Sequence, residues 1–363
     1  MTSKLKVLRL AYRLYFRNAS FLTRFSCGFR LLRHRFFGIS APISVMIGLT
    51  YRCQCRCVHC GMKLLQDAEG AELSTEEVKK VIEAARRLGT VEITLFGGEP
   101  LLRADLEEIV AHARDSRMLP SLDTNGLELS AEKIGGLKGA GLSALKVSLD
   151  SPDVEEHDRL RGVEGCFEKA VTGLRQAVAA GLPCAISTYA TRENVRSGDL
   201  RRLIELGREL GVTAVRIIDT TLSGCFLHSL PRRLAEPDRR ELARLLEPGF
   251  VFLENLASSR ALTHPICSAL ARRYAYVSPY GDLQPCCFVP LSFGNVRRDP
   301  LRKILGRLWS SNLMDYDPGR CLMNNRLFRE KYLSQIDSAA KLPLEFREEG
   351  RREAEMGEDC SAS

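Results

Sequence analysis

From residue 42 to residue 218, short β-rich apolar runs alternate with amphipathic helical patterns, and this rhythm limits the chain to a few architectures. Runs at 44–49, 91–96, 119–123, 144–149, 184–189 and 214–218 read as strands, with helices expected over 74–88, 104–116, 131–139, 165–180 and 197–210. Ser74-Thr-Glu-Glu77 and Ser130-Ala-Glu-Lys133 mark helix starts, because a capping hydroxyl precedes apolar periodicity. Gly89, Gly141, Gly181 and Gly211 mark helix ends. Continuously apolar strands joined by helices form parallel sheets with helical cover. Six units are fewer than the eight of a closed barrel, which leaves a partial barrel or a doubly wound sheet.

The flanks depart from the rhythm, and 363 residues leave room for about two domains. The expected divisions are a basic helical segment (1–41), the β/α region (42–230), a linker and cysteine-bearing region (231–330) and a charged helical and disordered tail (331–363). Residues 4–37 read as one helix, with Arg9, Arg13 and Arg17 four apart and Leu5, Leu8, Tyr12, Tyr15 and Phe16 on other faces. Net charge is +8, yet the first acid is Asp67; residues 1–66 hold twelve Lys and Arg, against 41 basic and 45 acidic residues in the remainder. Such a helix suits peripheral contact with an anionic membrane, a transit peptide, or simple packing with a solvated basic face. Its charge is confined rather than spread along a groove, so no nucleic-acid partner is expected. The longest uncharged apolar stretch, 39–51, falls short of the ~20 residues of a spanning helix.

Thirteen cysteines carry most of the chemistry. Cys27, Cys166, Cys184, Cys225 and Cys360 are scattered and read as small buried hydrophobes; the other eight cluster at 53–60 and 267–321. No secretory signal precedes them, so metal binding in a cytoplasmic protein is expected over disulfides. Cys53, Cys57 and Cys60, spaced C-x3-C-x2-C, follow the first strand, on the barrel face where active sites gather. Thiolates are soft ligands for iron–sulfur clusters or zinc. Structural zinc usually takes four ligands, whereas three thiolates on a four-iron cube leave one iron open, a catalytic arrangement. Phe96-Gly97-Gly98-Glu99-Pro100, Asp123-Thr124-Asn125-Gly126 and Ser148-Leu149-Asp150 end the next three strands. The glycines allow close backbone approach, Pro100 fixes a turn, and Asn125, Ser148 and Asp150 offer donors and acceptors. Arg192-Glu193-Asn194 follows the fifth strand.

Together these segments resemble the radical S-adenosylmethionine superfamily. The resemblance implies an α/β fold, a partial parallel (β/α)6 barrel, with a [4Fe-4S] cluster on Cys53, Cys57 and Cys60. The methionine end of S-adenosylmethionine would chelate the fourth iron. By the same resemblance Gly97, Gly98 and Glu99 hold its amino group, Asn125, Ser148 and Asp150 lie near its ribose and carboxylate, and His59 meets adenine where the family usually has an aromatic residue. Cys55 reads as a bystander. An external reductant such as flavodoxin or ferredoxin would supply an electron, and a 5′-deoxyadenosyl radical would take hydrogen from a peptide or small natural product. A lipid or membrane-bound substrate is the variant that the basic helix suggests. A non-catalytic electron carrier is the rival, although it would need no nucleoside site.

The second cysteine group reads C…G-x4-C…FGN…C, through Cys267, Gly281, Cys286, Phe293-Gly294-Asn295 and Cys321. A glycine turn five residues before a cysteine reads as a hairpin presenting a ligand. This pattern resembles the SPASM/twitch extension, which implies a small C-terminal α+β unit with an auxiliary iron–sulfur cluster on Cys267, Cys286 and Cys321. Where that family often has C-x2-C, this chain has Cys321-Leu-Met-Asn324, which leaves the fourth ligand to Cys287, Cys360, a non-cysteine group or substrate. Adjacent Cys286 and Cys287 point in different directions on a strand, so both binding one cluster is not expected.

Overall fold

The computed structural model describes residues 2–36, 41–65, 70–227, 234–254, 266–334, 336 and 341–347. Cys360 and most of the expected tail lie outside the described residues. In place of one N-terminal helix there are two, α1 (Ser3–Ala11) and α2 (Phe21–Phe36). The break has a local cause: Ser20 Oγ accepts the Thr23 amide at 3.1 Å, and Asn18 Nδ2 donates to the Gly181 carbonyl at 3.2 Å. A hydroxyl placed to cap the following turn starts a new helix instead of continuing the old one.

The six expected strands form within a residue of their expected bounds: β1 (Ser44–Thr50), β2 (Glu92–Gly97), β3 (Leu119–Thr124), β4 (Ala144–Ser148), β5 (Cys184–Ala190) and β6 (Ala214–Asp219). Between them lie α3 (Thr75–Leu88), α4 (Leu106–Asp115), α5 (Ala131–Ala140), α6 (Val154–Arg161), α7 (Cys166–Ala179), α8 (Arg192–Arg196) and α9 (Asp199–Glu209). The short helices α6 and α8 are additions to the expected set. At α3 the capping box is complete, with Ser74 and Glu77 exchanging side-chain to backbone bonds, and Gly89 closes the helix at φ 97°. After α10 (Glu236–Leu245) come β7 (Val251–Leu253), β8 (Tyr274–Val277), β9 (Leu283–Gln284) and α11 (Leu301–Ser310).

These nine strands form one sheet, in the order β7-β6-β5-β4-β3-β2-β1-β8-β9, and a separate pair joins Leu291–Ser292 to Leu344–Glu345. All neighbours are parallel except β8 and β9. The C-terminal extension thus starts inside the sheet, with Ser44 to Ile47 of β1 paired to Tyr274 to Val277 of β8. Both sheet faces are covered. Ile93, Leu95, Leu122, Leu145, Val147, Ile186, Val215 and Ile217 join the main apolar core, while Thr94, Ser121, Asp123, Lys146, Ser187 and Arg216 are buried polar residues on the same strands. Arg216 Nη2 meets Asp123 Oδ2 at 2.7 Å. Strands β6 and β3 would be about 14 Å apart in a flat sheet. That contact therefore spans the concave side of a curled sheet, which decides for the partial barrel over the doubly wound alternative.

The two ends of the barrel differ. Leu10 and Leu14 pack with Ala144, Ala185, Ala214 and Phe252, and Cys27 packs with Val91 and Leu119. Most of these partners sit at the start of a strand, so α1 and α2 close the barrel floor. The mouth, at the strand C-termini, carries the cysteine loop. Among the described residues no helix is long and apolar enough to cross a membrane.

Candidate active site

The loop after β1 is bonded to the ends of three other strands. Gly98 N donates to Thr50 O at 2.7 Å and Glu99 N to Arg52 O at 2.8 Å. Both glycines are required by this stitch. Gly97 has φ 140°, and a Cβ on Gly98 would stand 2.4 Å from Arg52 O and 2.6 Å from Tyr51 O. The close approach expected of these glycines is thus to the backbone that launches the cysteines. Glu99 is fully buried and accepts from Leu101 N (2.9 Å), Thr124 Oγ1 (2.7 Å) and Asn125 N (2.8 Å). Burial pushes its carboxyl up to about 7 even though all three bonds favour the charged form. Asn125 Oδ1 accepts Leu127 N at 2.8 Å, while its Nδ2 lies 3.7 Å from Cys53 Sγ and 3.4 Å from Gln54 Oε1.

From the other side, α6 holds the same loop. Arg56 N donates to Arg161 O at 2.9 Å and Val58 N to Leu160 O at 3.0 Å. Arg161, itself buried, places Nη2 2.6 Å from Asp150 Oδ2 and Nη1 3.7 Å from Cys57 Sγ. His59 Nε2 is 3.2 Å from the same Asp150 oxygen, and its ring lies against Tyr189 at 4.8 Å between centroids. Burial opposes charge on Asp150, but Arg161 and His59 outweigh it and hold the carboxyl well below its usual range. The Asp150 backbone N–H donates to His157 Nδ1 at 3.1 Å. Ser148 ends β4, paired with Ser187 of β5, and is half-buried.

The thiols share this environment. Cys55 is hydrogen-bonded among Cys53, Cys57 and Cys166. The Cys55 contact and, behind it, Arg161 and His59 bring the Cys57 thiol below its ordinary value against burial, while burial lifts Cys60 to about 11. Two of the scattered cysteines thus border the loop: Cys166 beside Cys55, and Cys225, whose N donates to Cys60 O at 3.0 Å. The donor set fits a four-iron cluster. Three soft thiols stand on one loop, with N–H groups of Asn125 and Arg161 aimed at two of them. Among the described residues no three His, Cys, Asp or Glu side chains are gathered for a single ion.

Sequence reasoning missed Arg161, His157 and Tyr189. His157 and Arg161 lie one helical turn apart in the stretch after Asp150, and their spacing ahead of Gly162 was the available signal.

In the second group the hairpin forms as expected. Gly281 has φ 91° in the β8–β9 turn, and Asn295 Nδ2 braces it by donating to Tyr280 O at 2.9 Å. Cys286 follows β9, and its thiol has Cys287, Cys267 and Cys321 as electrostatic neighbours; the segments of Cys267 and Cys321 are joined by Cys267 N donating to Pro318 O at 2.7 Å. Burial pushes all three thiols up, Cys321 to about 11. Buried thiols of this kind suit a cluster that replaces their protons. Cys287 turns elsewhere, to a hydrogen bond with Tyr274 and the neighbourhood of Glu254. Three residues after Cys321, Asn324 Oδ1 is buried with no hydrogen-bond partner among the described residues.

A barrel mouth with three thiols on its first loop, bonded to the ends of the next three strands, defines an iron–sulfur enzyme. The profile of the Radical SAM superfamily matches residues 47–206, and that of the SPASM iron-sulfur cluster-binding domain matches 267–332. A PqqA peptide cyclase of Methylocella silvestris is 31% identical over 277 residues, 72% of this chain and 74% of that protein. An AdoMet-dependent heme synthase of Methanosarcina barkeri is 28% identical over 290 residues, 73% of this chain and 82% of that protein. In fold, Streptococcus suis SuiB bound to S-adenosylmethionine aligns with 88% of this chain and 80% of its own at TM-score 0.64 and 15% identity. The chain belongs to the radical SAM superfamily. It is an enzyme whose cofactors are a [4Fe-4S] cluster, S-adenosylmethionine and an auxiliary iron–sulfur cluster.

Proposed function

We propose that this enzyme removes hydrogen from a peptide, with its radical-forming cluster on Cys53, Cys57 and Cys60. One observation carries the reading: the ends of β2 and β3, through Glu99 and Asn125, and helix α6, through Arg161, are bonded to one loop of thiols. When bound, the reduced cluster and S-adenosylmethionine supply a 5′-deoxyadenosyl radical that takes a hydrogen atom from an unactivated C–H bond.

The chain's own part is to hold and orient. Asn125 Nδ2 and Arg161 Nη1 direct N–H groups at two thiols and favour their thiolate forms. The Gly97–Gly98 turn, with Glu99 bracing it to β3, presents backbone to the amino group of the cofactor, and Asn125, Ser148 and Asp150 stand at the neighbouring strand ends. The His59 side chain is committed to Asp150 and Tyr189, which leaves its backbone for adenine. Cys267, Cys286 and Cys321 hold the auxiliary cluster. The electron comes from an external flavodoxin or ferredoxin.

Two observations support a peptide. Three of the similar curated relatives are PqqA peptide cyclases. The cations of the barrel lumen, Lys146 and Arg216, are already paired with Asp123, Glu92 and Glu254, so a carboxylate-rich small molecule would have to break those pairs. The test is isotopic. Anaerobic, reduced enzyme is given deuterated candidate peptides, and 5′-deoxyadenosine is examined by mass spectrometry. Deuterium in the nucleoside, with hydrogen lost from the peptide, is the expected result; transfer only from a small metabolite pool overturns the peptide reading.

A further inference from the structure

We propose that α1 and α2 form a docking surface for an anionic phospholipid bilayer, set on the barrel floor so that the active mouth faces away from the membrane. Among the described residues, ten of the thirteen large apolar side chains left exposed lie between Leu5 and Phe36. Apart from Leu31, they fall on one face of each helix. Leu5, Leu8 and Tyr12 share the outer face of α1, whereas Val7, Leu10 and Leu14 are buried. On α2 the outer stripe is Phe21, Phe25, Phe29 and Leu32, with exposures of 78%, 69%, 56% and 56%.

The opposite face of α2 is fixed to the barrel. Cys27 Sγ donates to Arg117 O at 3.6 Å, Arg30 Nη1 donates to Thr90 O at 2.8 Å, and His34 Nε2 lies 3.2 Å from Gly89 O. These carbonyls belong to the turns that enter β2 and β3, at the floor. At 3.6 residues per turn, positions 27, 30 and 34 lie half a turn from 21, 25, 29 and 32. The stripe therefore points straight away from the floor. Arg24 ties the helices together, donating to Phe16 O at 3.1 Å and Arg17 O at 2.8 Å, so both outer faces move as one surface.

Charge selects the occupant. Lys4, Lys6, Arg9, Arg13, Arg17 and Arg33 are exposed around the stripe, and the first acid of the chain is Asp67. Aromatic and aliphatic side chains flanked only by cations match the boundary between anionic headgroups and acyl chains. A second copy of the chain would bring twelve more cations and no acid from its residues 1–66 against this surface, which disfavours self-association. Orientation has a consequence for substrate. The cysteine loop lies at the other end of the strands, so this surface places the enzyme at the membrane without presenting lipid tails to its mouth. The inference goes beyond the peptide reading and does not depend on it.

The test uses the full, reconstituted protein. Removing α1 and α2 would uncover Ala144, Ala185, Ala214 and Phe252, so point variants are preferable. Sedimentation with vesicles of equal parts phosphatidylcholine and phosphatidylglycerol is compared with phosphatidylcholine alone, for wild type and Phe25→Ser/Phe29→Ser. Wild type is expected to sediment with the anionic vesicles only, and salt should release it. The variant is expected to bind at least about tenfold more weakly while keeping its iron and circular dichroism. Wild type left in the supernatant, equal binding by the folded variant, or a concentration-dependent dimer that the variant abolishes would each overturn the proposal.

Discussion

Arg161→Ala removes a side chain that touches both Asp150, at 2.6 Å, and Cys57, at 3.7 Å. Asp150 is buried, so the variant leaves a carboxylate in the interior with His59 Nε2, at 3.2 Å, still beside it. Breaking a buried ion pair by truncating one partner costs roughly 3–5 kcal/mol. Since His59 retains part of the compensation, the lower end applies, about 3 kcal/mol. Urea unfolding of the cluster-free chain is the appropriate assay, because metal release then does not distort the transition. The pair can be isolated by a cycle with Asp150→Asn. Once the carboxylate is neutralised, loss of Arg161 should cost less, with a coupling of about 2 kcal/mol. A cost under about 1 kcal/mol, or strict additivity in the double variant, would refute the claim that Arg161 and Asp150 act as a desolvated pair.

Gly98→Ala should lose about 1–3 kcal/mol and much of its cluster iron, because the new methyl meets two backbone carbonyls rather than a movable side chain; urea midpoints and iron counts check this. Cys286→Ser should remove the auxiliary iron, while Cys287→Ser, whose thiol is turned to Tyr274, should leave iron content unchanged. Glu99 makes a signed pH prediction. Its folded carboxyl sits at about 7, above the ~4.3 of an unfolded chain, so between those values the unfolded state releases the proton and the folded state keeps it. Its contribution to stability therefore falls as pH rises through that window, by about 4 kcal/mol in total, and levels off above it. Comparing the slope of wild type with Glu99→Gln isolates the effect, and equal slopes would contradict it.

Much of the barrel was legible because each unit announces itself locally. Ser74 with Glu77 and the glycine at 89 delimit α3 without reference to the rest of the chain. The strands could be placed, but their polar residues could not be interpreted. Asp123, Lys146 and Arg216 neutralise one another only when the sheet curls, and nothing local pairs positions 123 and 216. The same limit hid β8, whose partner β1 lies far back in the chain. At the site, the three thiols and the Gly-Gly-Glu-Pro turn were readable from spacing. The motif was expected to hold the amino group of the cofactor; that Glu99 also braces the turn by accepting from Leu101, Thr124 and Asn125 could not be read locally. The N-terminal segment was ambiguous for a different reason. Helices apolar on two faces show weak periodicity, so neither the break at Ser20 nor the division into floor and outer stripe could be seen before packing was known.

The most direct test of the account is formation of 5′-deoxyadenosine. Protein purified and reconstituted without oxygen is reduced with dithionite and given S-adenosylmethionine, beside a Cys53→Ala/Cys57→Ala/Cys60→Ala variant, with iron counted in both. The account predicts 5′-deoxyadenosine from wild type alone, with iron remaining in the variant on Cys267, Cys286 and Cys321. Equal product from the triple variant, or zinc in place of iron in the wild type, would contradict it.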